Sequence, residues 1–247
     1  MPVDTIDDVL VELDLILKRA ESEGTRDGYF AALYRKVTAR VKLGIERGEF
    51  EDGPRMERLD VCFARRYLAA RTAWLEQGAP TACWAEAFNK TRAWRPIVLQ
   101  HLLGGINAHI NLDLGIAAAE VAGDDLDALR TDFEAINSVL AELTGGVKDE
   151  LGQIWPALPL LDRVVGSVDD RIIEFSMSRA RDAAWDFAQQ LASAPRDDWP
   201  DRIVRRDEEV TRLAQLNYAP GLTLSLTMLL VRVTEHGKPS EIIRILR

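Results

Sequence analysis

The segment from Gln100 to Ala119 constrains the fold of this chain more than any other part of its sequence. It has helical apolar spacing, yet it carries polar residues on opposing sides and contains no lysine or arginine. At about 100° per residue, His109 and Asp113 lie within roughly 40° of each other, and Asn107 and Asn111 form a second pair about 160–200° away. A helix with this pattern is predicted to be buried on all faces, so other helices must surround it.

The rest of the chain shows the periodicity of amphipathic helices, and we predict an all-α protein of about eight to ten helices. Hydrophobic residues make up 47% and charged residues 29% of the 247 residues, as in globular proteins. We find no repeat and no linker, which predicts a single bundle-like domain over residues 1–247. One helix is predicted from Asp124 through Leu143, ending at Gly145–Gly146, and a helix rather than a strand is predicted from Leu222 to Val233.

Charge and composition exclude several classes of partner. The net charge of −9 disfavours nucleic acid, because binding to phosphate needs clustered lysine and arginine. The apolar run from Leu222 to Val233 is too short to span a bilayer, and residues 1–18 are acidic where a secretory signal would be basic. Cys62 and Cys83 are too far apart for a CxxC motif. We therefore expect free thiols and a cytoplasmic protein.

The pair His109 and Asp113 is the strongest candidate for chemistry. One helical turn apart, they suit a general base and the carboxylate that orients it, or two ligands of one metal ion. His101 lies about 12 Å further along an unbroken helix, so it is expected to position a substrate rather than to join the same mononuclear site. Glycines at 104, 105 and 115 would allow a ligand or a neighbouring backbone to approach closely.

A structural interpretation competes with this functional one. Buried polar side chains also cross-link helices through hydrogen bonds, and glycines also permit close helix packing. The metal alternative is the weaker one, because the segment has neither the Glu-x-x-His pairs of di-iron bundles nor the His-Glu-x-x-His zinc signature. We therefore expect no cofactor, with a metal ion bound by His109 and Asp113 kept as an alternative.

Other residues are candidates for substrate binding. Asp60 lies on a mostly apolar helix face and could supply a second carboxylate, although a buried ion pair with an arginine is the favoured interpretation. Asp132, on the helix after the central one, could approach His109 if the two helices form a hairpin. Trp84 is expected to be a core or pocket wall, and Asn107 and Asn111 to position the substrate.

The box Asn-Ala-His-Ile-Asn-Leu-Asp-Leu at 107–114 resembles a family of bacterial proteins known only as a domain of unknown function. Blocks at 30–35, 55–60, 84–88 and 132–137 are also similar to that family, so the resemblance covers much of the chain. It implies no established activity and directs attention to the same His, Asn and Asp residues. Gly104 stands where a larger apolar residue is expected, which implies an enlarged pocket there.

These observations predict an enzyme that acts on a small, largely apolar molecule inside a helical bundle. His109 would act as acid or base, Asp113 would orient it, and the reaction would be a hydrolysis, an isomerisation or a cyclisation. The first alternative is a non-catalytic protein that binds a hydrophobic ligand or a partner helix, and the second is a metal-dependent enzyme. A small molecule is the expected partner, and the sequence leaves a homo-oligomer open.

Overall fold

The computed structural model of the chain describes residues 2–123, 125–155, 170–219 and 221–247, and the regular structure in these ranges is entirely helical. Residues 109–114 form a π-helix, here called the π-segment, which joins two α-helices into one continuous helix from Val98 to Ala122. The all-α prediction of about ten helices is confirmed. The described residues contain eleven α-helices, of which α5 and α6 are the two parts of that continuous helix: α1 Ile6–Glu23, α2 Gly28–Glu46, α3 Gly53–Leu75, α4 Ala82–Thr91, α5 Val98–Ala108, α6 Gly115–Ala122, α7 Arg130–Ile154, α8 Asp170–Ala192, α9 Trp199–Tyr218, α10 Leu222–Thr234 and α11 Pro239–Leu246.

Local sequence signals explain where the first helix begins and ends. The Thr5 side chain accepts a hydrogen bond from the Asp8 backbone N–H, and the Asp8 carboxylate accepts one from the Thr5 N–H, which is a complete capping box. Gly24 ends the helix with a φ of 66°, a left-handed conformation that glycine adopts without steric cost. The buried stripe of α1 then packs against α2, α3 and α11.

The helix from Val98 to Ala122 is the centre of the fold. Helices α2, α4 and α9 pack around α5, whereas α3 and α8 pack against the π-segment and α6. Between Val98 and Ala119 only Leu103 is exposed. The predicted burial of this helix on all faces is therefore confirmed.

The glycines of the central helix serve packing. A Cβ atom on Gly104 would lie 2.0 Å from the Tyr218 hydroxyl oxygen, and one on Gly105 would lie 2.3 Å from the Phe30 ring. A Cβ atom on Gly115 would lie 2.7 Å from the Ala184 carbonyl oxygen. The expectation of an enlarged pocket at Gly104 is wrong, because the Tyr218 side chain fills that space.

Two helix boundaries test the sequence predictions. The helix predicted from Asp124 to Gly145–Gly146 corresponds to α7, which begins at Arg130 and continues to Ile154. Asp124 itself lies outside the described residues. Each glycine costs a helix about 1 kcal/mol, and burial of Leu151 and Ile154 in the following turn offsets that cost. The segment from Leu222 is the α-helix α10, as predicted. None of the described helices combines the length and apolar character needed to cross a membrane.

Candidate functional site

The π-segment brings the two strongest candidates together on one face of the central helix. His109 Nδ1 lies 3.5 Å from Asp113 Oδ2, and the side chains belong to residues only 3% and 1% exposed. A π-helix closes each turn with one extra residue, which is uncommon and often occurs at functional sites. The predicted pairing of His109 with Asp113 is therefore present in the folded chain.

Two donors from neighbouring helices hold the Asp113 carboxylate. Arg66 of α3 donates from Nε to Oδ1 at 2.9 Å, and Trp84 of α4 donates from its indole nitrogen to Oδ2 at 2.7 Å. Charge-assisted hydrogen bonds of this kind fix both the position and the orientation of a carboxylate. Trp84, predicted as a wall, thus also positions Asp113.

Aromatic side chains enclose the His109 imidazole. Phe63 stacks on it with ring centroids 3.4 Å apart and planes 7° from parallel, and Tyr34 meets its edge at 4.4 Å. Phe30, Trp84 and Tyr67 lie further out, with centroids 5.6, 6.0 and 6.2 Å away. The imidazole therefore lies in a low-dielectric environment, in which electrostatic interactions are stronger than in water.

The electrostatics of His109 favour a neutral imidazole. Burial lowers its pKa most, the hydrogen bond and the charge of Asp113 act in the opposite direction, and Arg66 lowers it further. Since Nδ1 faces the carboxylate, the single ring proton belongs on Nδ1. The lone pair is then on Nε2, which is buried and has no hydrogen-bond partner among the described residues.

A second titratable group, Asp60 of α3, lies close enough to Tyr34 for its charge to raise the pKa of that tyrosine. Asp60 is 8% exposed, its Oδ2 atom has no partner, and no arginine pairs with it in the described ranges. The favoured prediction of a buried ion pair is therefore wrong. Burial, followed by the charge of Glu57, raises the pKa of Asp60 to about 7. Near neutral pH Asp60 is thus able to donate a proton.

Tyr34 connects the two titratable groups. Its ring touches His109, and its pKa is raised well above the ordinary value, mainly by burial and next by the charge of Asp60. The Thr38 hydroxyl is close enough to lower this pKa, although neither hydroxyl completes a hydrogen bond with any residue that the structure describes. Asp60, Tyr34 and His109 therefore form a set of buried polar groups that the fold leaves partly unpaired.

Three predicted site residues serve other contacts. Asn107 donates to the Val210 carbonyl oxygen at 2.9 Å and accepts from Asn111 at 3.0 Å, which ties the central helix to α9. The Asp132 carboxylate accepts from the backbone N–H groups of Glu51 and Asp52 at 2.7 and 3.1 Å, and from Arg55. These contacts occupy the side chains of the two asparagines and of Asp132, and none of the three is among the ring contacts of His109.

His101 also lies apart from the dyad. It is 5% exposed, and its ring meets the edge of Tyr29. Neither ring nitrogen completes a hydrogen bond within the described residues, although the Pro96 backbone is close enough to act on the pKa of the imidazole. It lines a small pocket together with Phe30 and Trp84, whose rings also contact His109. His101 and His109 therefore share neighbours without touching each other.

The described residues give little support to a metal ion. They contain no group of three or more His, Cys, Asp and Glu side chains that could hold one. The Asp113 oxygen atoms already accept from a guanidinium and an indole. A cation at Asp113 would have to compete with the positive charge of Arg66.

Comparison with known proteins assigns the chain to a family. The model of DUF5995, described as a family of unknown function, matches residues 6–220. The chain belongs to DUF5995. No curated protein and no solved structure matches it. Membership confirms the predicted family of unknown function, and the candidate site lies wholly within the matched DUF5995 range.

Several site residues of this DUF5995 chain were not found from the sequence. They are the aromatic residues and the arginine that surround the dyad: Phe30, Tyr34, Phe63, Arg66 and Tyr67. Helical spacing offered a signal, because 30 and 34 lie one turn apart on α2, and 60, 63 and 67 follow one face of α3. That pattern alone does not separate a site wall from an ordinary core.

Proposed function

We propose that the protein is an enzyme that moves protons on a small, largely apolar molecule, with His109 as the base and Asp113 as the group that orients it. One observation carries the proposal: Nδ1 of His109 faces an anchored carboxylate, whereas Nε2 is buried with no hydrogen-bond partner in the part of the chain that the structure describes. A neutral imidazole with a free Nε2 lone pair is the form that accepts a proton. A carboxylate on Nδ1 then stabilises the imidazolium that results.

Asp60 is the proposed acid of the same site. Environments that shift two titratable groups in opposite directions are typical of acid–base pairs, and burial lowers the pKa of His109 while raising that of Asp60. In the proposed step, Nε2 takes a proton from a carbon next to a carbonyl group, and the Asp60 carboxyl gives its proton to the carbonyl oxygen. The enol that forms returns to a ketone by the reverse transfers, at the same or another carbon.

This pairing favours isomerisation over hydrolysis or cyclisation. A proton shift needs no water molecule. Hydrolysis does need one, and the five aromatic rings around the imidazole limit the access of water to it. The metal-dependent alternative has weaker support, since Arg66 occupies the Asp113 carboxylate. The free cysteines Cys62 and Cys83 fit a reducing compartment, and we propose a cytoplasmic location on that basis.

The test measures directly the rate at which the protein removes an α-proton from a ketone. We would incubate the protein with cyclohexanone in D₂O and follow the loss of the α-proton signals by NMR. The wild-type protein should accelerate this exchange, and His109→Gln should abolish the acceleration with little change in melting temperature. His236→Gln, at an exposed position, is the matched control. Unchanged exchange in His109→Gln would refute the proposal, and a large loss of stability with no exchange in either protein would support the structural interpretation.

A non-catalytic binding protein is the second candidate, and one observation favours it. Leu222, Leu226, Leu230 and Val233 are 81%, 56%, 72% and 67% exposed and follow one face of α10. Exposed apolar surfaces of this kind often mark interaction sites, including those of homo-oligomers. This candidate predicts that charged substitutions on α10 reduce self-association or ligand uptake, and that His109→Gln has no effect on either.

A further inference from the structure

The Phe63 ring lies closer to the His109 imidazole than the other rings around it. The two centroids are 3.4 Å apart, and the two planes are 7° from parallel. The other four rings have centroids 4.4 to 6.2 Å from the imidazole and are inclined to it by 58° to 81°. Carbon atoms in contact lie about 3.5–4.0 Å apart. The short centroid distance therefore leaves almost no lateral offset, and Phe63 covers one whole face of the imidazole.

This degree of overlap suits a cation better than a neutral ring. The faces of a phenyl ring carry partial negative charge, so two neutral aromatic rings prefer an offset or edge-to-face arrangement with centroids about 4.5–7 Å apart. The same negative face attracts a cation that lies within about 6 Å of the ring centroid. A protonated imidazole is a flat cation of this kind. The geometry of Phe63 on His109 therefore favours the imidazolium over the neutral imidazole.

The charged groups near His109 give the imidazolium little other support. Asp113, on the same helix, favours the protonated ring, whereas burial and the charge of Arg66 of α3 favour the neutral one. Arg206 of α9 also reaches the π-segment, where it donates to the Asn111 carbonyl oxygen and to a carbonyl oxygen of α8. One carboxylate thus acts on the imidazole against its burial and a guanidinium group.

The remaining neighbours of the imidazole are uncharged or only partly charged near neutral pH. Tyr34 of α2 and Tyr67 of α3 contact it, and burial raises the pKa of both hydroxyl groups above their ordinary value. Asp60 of α3, which acts on Tyr34, has its pKa raised to about 7 by burial. From α4 the imidazole contacts the ring of Trp84, which does not titrate in water. The contact with Phe63 is therefore not masked by a neighbouring full charge on these helices.

We propose that Phe63 is a positioning residue of the site and that its ring face stabilises the imidazolium of His109 through a cation–π contact. The inference rests on the proposed function in that His109 takes up a proton during the reaction. In that step the Nε2 lone pair forms the new N–H bond, and the electron pair of the broken C–H bond becomes part of the enol. The positive charge left on the imidazole then lies between Asp113 at its Nδ1 edge and Phe63 on its face.

Fluorination of the ring at position 63 tests the contact without a large change of shape. Phenylalanines with an increasing number of fluorine atoms, up to the fully fluorinated ring, have a progressively less negative face. The affinity of His109 for a proton is read from an NMR titration of the imidazole signals, assigned with His109→Gln. This affinity should fall along the series, by roughly three- to tenfold for the fully fluorinated ring. The signal of His236, which is exposed, should titrate unchanged in the same spectra.

Phe88 is the matched control. Its ring stacks on Trp84 and lies near Tyr67, both of which contact the imidazole, whereas Phe88 is not among the ring contacts of His109. Fluorination at position 88 should therefore leave the proton affinity of His109 unchanged. Phe63→Tyr keeps an aromatic face on the imidazole and should retain the wild-type affinity.

The outcomes separate this inference from the proposed function. A constant proton affinity of His109 along the series at position 63, or an equal fall in the series at position 88, would overturn the inference. A wild-type His109 that takes up no proton above about pH 4 would overturn it as well, because the ring would then fail to offset burial. A graded effect of fluorine in a protein that does not accelerate ketone exchange would refute the proposed function and leave the cation–π contact standing.

Discussion

Replacement of Asp60 by asparagine tests the interior of the candidate site through the stability of the protein. Asparagine resembles the protonated acid in shape and carries no charge, so it removes the titration alone. In the folded chain the pKa of Asp60 is raised from 3.8 to about 7, chiefly by burial. Between these values the unfolded chain has released the proton and the folded chain retains it.

The sign and size of the effect follow from this difference in bound protons. The contribution of Asp60 to stability is complete below pH about 4 and falls by about 1.4 kcal/mol for each pH unit up to about 7. The difference between 3.8 and about 7 corresponds to a loss of up to about 4 kcal/mol at neutral pH and above. Asp60→Asn lacks this loss, so its advantage over the wild type should grow as the pH rises.

Urea unfolding followed by circular dichroism from pH 5 to pH 8 measures the predicted slope. The free energy of unfolding of Asp60→Asn should fall less steeply with pH than that of the wild type, by up to about 1.4 kcal/mol per unit below pH 7. Asp132→Asn is the control for the loss of a carboxylate that has partners. The Asp132 carboxylate is paired with Arg55 and two backbone N–H groups, so this substitution should destabilise the protein, in contrast to Asp60→Asn. Parallel pH profiles of the wild type and Asp60→Asn would refute the burial argument.

Two further predictions concern the packing of the central helix and the charge beside its histidine. Gly104→Ala should destabilise the protein by about 1–3 kcal/mol in urea unfolding, because the new Cβ would lie 2.0 Å from a tyrosine hydroxyl. Gly152→Ala, a helical position with nothing within 4 Å, should instead stabilise it by up to about 1 kcal/mol, and equal effects of both substitutions would contradict the packing argument. Arg66→Gln should raise the pKa of His109 in an NMR titration, because the guanidinium lowers that pKa through its charge. Arg65→Gln, on the exposed side of α3, should leave it unchanged, and a lower His109 pKa in Arg66→Gln would contradict the assignment.

Periodicity was sufficient to predict the fold because helix formation and burial depend on spacing along the chain. The polar pattern from Gln100 to Ala119 correctly predicted a buried helix and the pairing of His109 with Asp113, which lie one turn apart. The end of α7 was predicted wrongly at Gly145–Gly146, because the local preference of glycine was outweighed by burial of the next turn. Local signals thus place helices well and their ends less well.

The partners of the site residues could not be predicted in the same way, because they depend on contacts between helices. An arginine was expected to pair with Asp60, and Arg58 is close in sequence, but that side chain is exposed. Arg66, two turns from Asp60 on the same helix, pairs instead with Asp113 of the π-segment. Only the packing of α3 against the central helix decides which carboxylate receives the guanidinium and which is left without one.

Three unpaired polar groups that lie close together around His109 support a role for these residues beyond packing. The side chains of two other candidates, Asn107 and Asp132, are hydrogen-bonded. Around His109, the Nε2 atom, the Tyr34 hydroxyl and Asp60 Oδ2 are buried without a hydrogen-bond partner among the described residues, as are single atoms elsewhere, such as the indole nitrogens of Trp185 and Trp199. Each such group costs on the order of 1–3 kcal/mol, a cost that apolar residues of similar volume would not carry. A purely structural core gains nothing from that cost, whereas a base and an acid that must exchange protons with a bound molecule need those atoms free.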